Sequence, residues 1–312
     1  MNISAFRISL IVGTFVMLAT WPGYAFAQQS DMSRHAFEQQ SDVPRYRVAA
    51  CDWMMLKRQK IGEFQLSRDI GADGVEMDMG PLGKRPMFDN KLREEQFRQQ
   101  FRHTADSLGV LVPSMAMSGF FAQSFLKRYN YVELVDDCLQ SMDVMGATVA
   151  FLPLGGSGRE WQQPGSADRQ QLVTRLRTVG DRAVKCGKVI AIRTGLDAKE
   201  TLHLLKEVGS KGIKVYYNLQ DAVDQGLDPC RELKKLGTKH IAQIHASLTD
   251  SVTLDRDPRI DMSQVRRTLD KMGWSGWLVV ERSRDAQDVK NVRGNFSRNV
   301  KYLKEVFTGV ER

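Results

Sequence analysis

Four short apolar runs in the second half of the chain each end in a polar side chain suited to chemistry. Arg193 follows Ile190-Ala191-Ile192, Asn218 follows Val215-Tyr216-Tyr217, His245 follows Ile244, and Glu281 follows Val280. A carboxylate and an imidazole can move a proton or share a cation, and a guanidinium can hold a carbonyl or hydroxyl oxygen and steady negative charge developing on it. Asp52 and Trp53 follow the first apolar run of the folded part, and Glu76 and Asp78 close the second, adding acid and an aromatic face. For any one of these residues a cap or a loop hydrogen bond is explanation enough. Together they point to a ligand pocket, provided that one architecture gathers all the run ends.

Such an architecture is written in the spacing. Strands are predicted at Arg47 to Cys51, Gly74 to Met77, Leu111 to Met115, Thr148 to Leu152, Val189 to Ile192, Lys214 to Tyr217, Ile241 to Ile244 and Trp277 to Val280, each followed by a helix-length segment. Helix ends are legible too: Asp197 with Glu200 three residues on opens one helix, Gly209 closes it, and Leu202, Leu205 and Val208 are its expected buried stripe. Eight strand-helix units without a nucleotide-binding glycine fingerprint predict an α/β fold, a single (β/α)8 TIM barrel over residues 46–312, in preference to an open doubly wound sheet. Active sites of such barrels lie at the carboxyl ends of the strands. The alternation of Ile190 and Ile192 with Ala191 and Arg193 turns Arg193 toward the barrel axis, and Asn218, His245 and Glu281 follow the same rule.

Residues 1–27 carry Arg7, an apolar run from Ile8 to Trp21 and Ala25-Phe26-Ala27, the pattern of a signal peptide with an A-x-A cleavage site; residues 28–45 read as a flexible linker. The expectation is an exported, periplasmic protein without a stable membrane anchor. The chain carries 45 lysines and arginines against 37 aspartates and glutamates, a formal charge of +8, and an exported protein with that balance is expected to present a solvated basic surface rather than bind nucleic acid. The four cysteines, Cys51, Cys138, Cys186 and Cys230, are widely spaced and read as mostly buried free thiols. The loop Gly155-Gly156-Ser157-Gly158-Arg159 has the composition of a phosphate cradle, but a flexible turn or an unphosphorylated ligand suits an exported protein better.

Leu196-Asp197-Ala198-Lys199-Glu200-Thr201-Leu202, Lys214 to Asn218, Gln243-Ile244-His245 and Gly273 to Glu281 resemble the sugar phosphate isomerase/epimerase branch of the xylose isomerase-like TIM barrels. The resemblance spans nearly all the chain beyond the linker. It implies one divalent metal, manganese most often, held by a Glu, an Asp, a His and a Glu after strands five to eight, with the two glutamates moving a proton beside a sugar carbonyl. At those four positions this sequence has Arg193, Asn218, His245 and Glu281, so only the last two remain as metal ligands. Asp221 stands where the family pattern often has an Asn, Ala246-Ser247-Leu248 lacks the Lys-Asp pair that often follows the histidine, and Asp255 to Arg259 replaces a glycine-rich turn. A hard cation wants several anionic oxygens, so the metal is expected to be weak or absent unless Asp221, Glu76 or Asp78 rebuilds the shell. On an enzyme reading Arg193 stands where the metal stood and, with Glu281 and His245, is a catalytic group acting on a small carbohydrate, with Asp52, Trp53, Glu76, Asp78, Tyr216, Asn218 and Asp221 lining its pocket. The alternative is an inactive carbohydrate-binding barrel with an Arg193–Glu281 ion pair in the metal position. Related nucleases need many histidines, whereas of the five here, His35, His103, His203, His240 and His245, only His245 ends a strand.

Overall fold

A computed structural model describes residues 44–155 and 160–309. The expected signal peptide, most of the expected linker and Gly156 to Arg159 lie outside the described residues. Eight parallel strands close on themselves in sequence order: β1 Tyr46–Cys51, β2 Gly74–Asp78, β3 Ser114–Ala116, β4 Val149–Pro153, β5 Val189–Arg193, β6 Ile213–Asn218, β7 Ile241–His245 and β8 Gly276–Val280. Closure runs through the β1–β8 ladder, from Tyr46 opposite Gly276 to Ala50 opposite Val280.

The helices between them are α1 Gly62–Asp69, α2 Glu95–Leu108, α3 Tyr131–Met145, α4 Ala167–Lys185, α5 Ala198–Val208, α6 Leu219–Asp224, α7 Pro229–Leu236, α8 Met262–Met272 and α9 Val292–Thr308. The chain is therefore the expected single (β/α)8 barrel. The β6 crossover is split in two, because Gly226 takes a left-handed turn at φ 70° and Asp228 recaps the chain by accepting from the Cys230 amide, with Pro229 at the first helical position.

Period-two alternation sorts the strand residues into two layers. Ala49, Cys51, Ala116, Phe151, Ala191, Tyr216 and Val279 fill the barrel interior, while Val48, Val75, Met115, Ile190, Ile192, Ile244 and Leu278 pack outward under the helices. The inner layer is mostly small residues around two large rings, Phe151 and Tyr216, so those rings form the floor on which the mouth is built.

Two expectations need correction. β3 begins at Ser114 rather than Leu111, which keeps only an isolated bridge to Gly74, because Pro113 has no amide proton to give a ladder. The buried stripe of α5 is Ala198, Thr201, Leu204 and Val208, with Leu202 and Leu205 only partly buried, since Leu204 and not Leu205 is the residue turned to the sheet. All four cysteines are free, and Cys186 is exposed.

The lower end of β6 is set by a contact between glycines. A β-carbon on Gly212 would collide with the Gly180 carbonyl in α4, and one on Gly180 would meet Ile213 Cγ1 at 2.7 Å. Gly212 also accepts the Ile190 amide at 2.8 Å and so fixes where β5 and β6 start, well below Arg193 and Asn218 at the other ends of these strands. Gly212→Ala should cost about 1–3 kcal/mol by overpacking. A urea denaturation series measures this, and an unchanged midpoint would contradict the close approach.

Candidate functional site at the barrel mouth

Arg193 is the last residue of β5, and its guanidinium lies across the mouth. Nε and Nη2 donate to Asp221 Oδ2 and Oδ1 at 2.8 and 2.6 Å, and Nη1 donates to Glu281 Oε2 at 3.2 Å. Burial opposes the guanidinium's charge, but the two carboxylates outweigh it and raise its pKa above the ordinary arginine value. Asp221 reaches this position because α6 starts directly after Asn218, which puts Asp221 in its first turn. The ring of Phe121 lies under the guanidinium carbon at 5.5 Å.

A second chain of contacts runs inward from Glu281. Asn218 Nδ2 lies 3.4 Å from Glu281 Oε2 and 3.5 Å from His245 Nδ1, and Nε2 of His245 lies 2.9 Å from Glu76 Oε1. The other oxygen of Glu76 accepts from Tyr216 Oη at 2.6 Å and from Ser114 Oγ at 2.7 Å. A carboxylate only accepts, so Glu76 holds the imidazole proton on Nε2 and leaves Nδ1 as the acceptor for Asn218. Glu76 and His245 are wholly buried and Glu281 nearly so. Asn218 Oδ1 is also buried and has no partner among the described residues.

Aromatic rings wall this network. Trp53 stacks on Phe151 with 6.3 Å between centroids and 7° between planes, and Phe151 meets His245 edge-on at 4.8 Å and touches Tyr216 and Phe121. Arg193, Asn218 and Asp221 also line a small cavity that runs toward Thr194, Thr201 and Glu232.

The structure thus gathers Arg193, Asn218, Asp221, His245, Glu281 and Glu76 into one network. Tyr216 belongs to it, but its ring is buried below the mouth and its hydroxyl is used on Glu76, so it offers no face for stacking. Asp52 and Asp78 are placed elsewhere, fully buried in a second cluster with Glu63. Asp52 Oδ2 accepts from the Gln59 amide, Asp78 accepts from the amides of Gly80 and Ser118, and Arg58 Nε lies 3.3 Å from Asp78 Oδ1. These bonds clamp the loop that carries Trp53 to the end of β2. Ser114, Phe151 and Phe121 at the site, and Glu63 in the second cluster, are residues that the sequence patterns above do not single out. Phe151 and Ser114 lie within reach of the alternation rule, whereas Phe121 and Glu63 sit on a loop and a helix and show no comparable signal.

A closed (β/α)8 barrel with a polar network at the carboxyl ends of its strands defines the class. The chain belongs to the xylose isomerase-like TIM barrel family, whose model matches residues 64–306. Among solved structures it is similar to a xylose isomerase domain protein from Planctomyces limnophilus, at 13% identity and a TM-score of 0.62 over 86% of this chain and 100% of that one. It is also similar to a D-psicose 3-epimerase determined in the presence of D-fructose, at 12% identity and 0.66 over 84% and 99% of the chains, and to a 3-keto-D-glucoside 4-epimerase from E. coli, at 14% and 0.63 over 83% and 99%. At such identities the likeness is one of fold. No curated protein matches the chain.

Burial pushes the Asp78 carboxyl up to about 8 and Asp52 up to about 6, and it drives Glu63 well above the usual carboxylate range, with the charge of Asp52 adding to the shift. Between the ordinary value of 3.8 and about 8 the folded protein therefore holds more protons on this cluster than the unfolded chain does, and the cluster's contribution to stability falls as pH rises through that window. Melting temperature should decline across it, and Glu63→Gln should flatten the decline. An unchanged slope in the variant would contradict the shared protonation.

Proposed function

We propose that the protein is an exported barrel that binds a small carbohydrate at its mouth, with Arg193 in the place the family gives to a metal. The observation that carries this reading is the contact of Arg193 Nη1 with Glu281 Oε2, made while the rest of the guanidinium fork is held by Asp221. Export rests on the leader pattern of residues 1–27. Among the described residues no helix is long and apolar enough to cross a membrane.

The donor set does not fit a divalent cation. Of the four family positions, two hold a guanidinium and an amide, His245 is engaged on Nε2, and Glu281 Oε2 already receives two donors. Each unit of cation charge at about 4 Å from a guanidinium costs roughly 4 kcal/mol at an effective dielectric near 20. Asp221 is equally committed, because both its oxygens bind Arg193. The charge of a metal is thus supplied here by a side chain, which brings directional N–H donors instead of open coordination positions.

A bound sugar would meet three things. Arg193 has five N–H groups and uses three, so two remain for a carbonyl or hydroxyl oxygen. Asn218 Oδ1 is a buried acceptor in want of a donor, and a sugar hydroxyl supplies one. Phe121, 38% exposed, presents an apolar face for the ring.

A second reading, proton transfer without a metal, is favoured by one detail. Both described donors to Glu281, from Arg193 and Asn218, go to Oε2, which leaves Oε1 to take a proton from a carbon beside a carbonyl. Arg193 would then steady the enediolate oxygen.

Two experiments test these readings. Arg193→Glu combined with Asn218→Asp should restore the anionic donors and give manganese binding at least about tenfold tighter than the parent by calorimetry; no gain would contradict the placement of Arg193 at the metal position. Glu281→Gln should abolish exchange of solvent deuterium into a bound ketose while sugar binding persists, and undiminished exchange would remove Glu281 from proton transfer.

A further inference from the structure

We propose that the rim formed by the loops after β1, β2 and β3 binds an acidic oligosaccharide, one bearing carboxylate or sulfate groups, and feeds one of its residues to the mouth. This deepens the carbohydrate reading above and rests on it.

The two halves of the rim differ in how their cations are paired. On the loops after β7 and β8 three of the four arginines are paired, Arg256 with Asp285 at 2.5 Å, Arg259 with Asp257 at 2.6 Å and Arg284 with Asp250 at 2.5 Å, and Arg282 is the exception among the described residues. On the loops after β1 to β3 the cations are Lys57, Lys60, Lys84, Arg85, Lys127 and Arg128, and among the described residues none has a carboxylate within the 4.0 Å of an ion pair. Residues 52–61, 79–90 and 117–130 contain only two carboxylates, Asp52, which is buried, and Asp89. Arg58 is the one cation of these three segments with a partner among the described residues, the buried Asp78, and Arg93, further along the loop after β2, pairs with the buried Asp137 at 2.6 Å. A pairing scheme that neutralises most of one side and leaves most of the other bare creates a directed field, and its complement is an anion.

The three loops form one surface. Arg58 Nη2 donates to Ser118 Oγ at 3.3 Å, Asn130 Nδ2 donates to the Pro86 carbonyl at 2.7 Å, and Arg128 donates to the Arg85 carbonyl. Exposed apolar groups stand among the cations: Tyr129 is 80% exposed, Leu56 64% and Phe121 38%. Phe121 joins rim to mouth, since its ring also lies against Phe151 and under Arg193.

Arg193 itself is no anion receptor, because Asp221 and Glu281 already supply two negative charges to its one. An acidic ligand is therefore read at the rim and a polar, uncharged portion at the centre. Cations interleaved with rings also suit single-stranded nucleic acid. The glycan is favoured because Phe121, which stands among these cations, also lies under Arg193 at the mouth where the reading above places a sugar.

The test uses the full chain and three probes of equal length: a galacturonate oligosaccharide, its neutral galactose counterpart and single-stranded DNA. The acidic oligosaccharide should bind at least about tenfold tighter than the neutral one and weaken by a similar factor between about 50 and 300 mM salt. The triple variant Lys84→Glu, Arg85→Glu, Lys127→Glu should lose that preference while keeping neutral-sugar binding and its circular dichroism. Should the variant fail to fold, the salt dependence of the parent decides. Equal, salt-insensitive binding of both sugars would overturn the rim proposal and leave the carbohydrate reading standing. Tighter binding of DNA than of the acidic sugar would overturn it in favour of a nucleic-acid partner, and binding of no saccharide at all would overturn both.

Discussion

One guanidinium between two carboxylates organises the mouth of this barrel. Arg193 enters from β5, Asp221 from the first turn of α6 and Glu281 from the end of β8, so their ion pairs tie three crossovers together at the centre. The arrangement is self-consistent only as a set. Removing Arg193 would leave two carboxylates facing each other with little solvent, and removing Asp221 would leave a guanidinium held by one long contact; either loss in a buried site costs several kcal/mol, on the order of 3–5. A cation of some kind is needed where Arg193 stands, and this chain carries its own.

That choice reaches inward. Glu281 is fixed by Arg193 and Asn218, Asn218 by Glu281 and His245, and His245 by Glu76, which is braced by Tyr216 and Ser114. Every step passes between strands, from β8 to β6, β7, β2 and β3, so the polar network crosses the apolar interior of the barrel and sets the positions of the Phe151 and Tyr216 rings packed against it. The loop bearing Trp53 is held separately, by the Asp52, Glu63 and Asp78 cluster, and the raised carboxyls of Asp52 and Asp78 make that hold answer to pH.

Much of this is legible in the order of the residues alone. All eight strands are readable because parallel barrel strands are buried apolar runs closed by polar residues, and the rule that inward residues alternate places Arg193, Asn218, His245 and Glu281 on the axis. The partition of Asp52 and Asp78 away from the network is not legible. Both end or follow strands as Glu76 does, and what separates them are the loop amides of Gln59, Gly80 and Ser118 and the Arg58 guanidinium, which no spacing rule announces. The start of β3 is misplaced for a simpler reason: the apolar run through Val112 outweighs Pro113 in the hydrophobic pattern, although the missing amide decides the ladder. The charge asymmetry of the rim also lies hidden, since the arginines of both halves look alike in sequence and only pairing distances tell them apart.

If Arg193 does in this barrel what a divalent ion does elsewhere in the fold, the mouth should refuse a metal. Calorimetric titration of the chelator-treated protein with manganese, zinc, cobalt and magnesium asks this of the molecule itself. No binding tighter than about millimolar is expected for any of the four, since each must displace a guanidinium already neutralised by Asp221 and Glu281. Submicromolar affinity for any one of them would contradict the substitution of side chain for metal, because the Arg193 ion pairs would then have to yield their carboxylates to a metal shell.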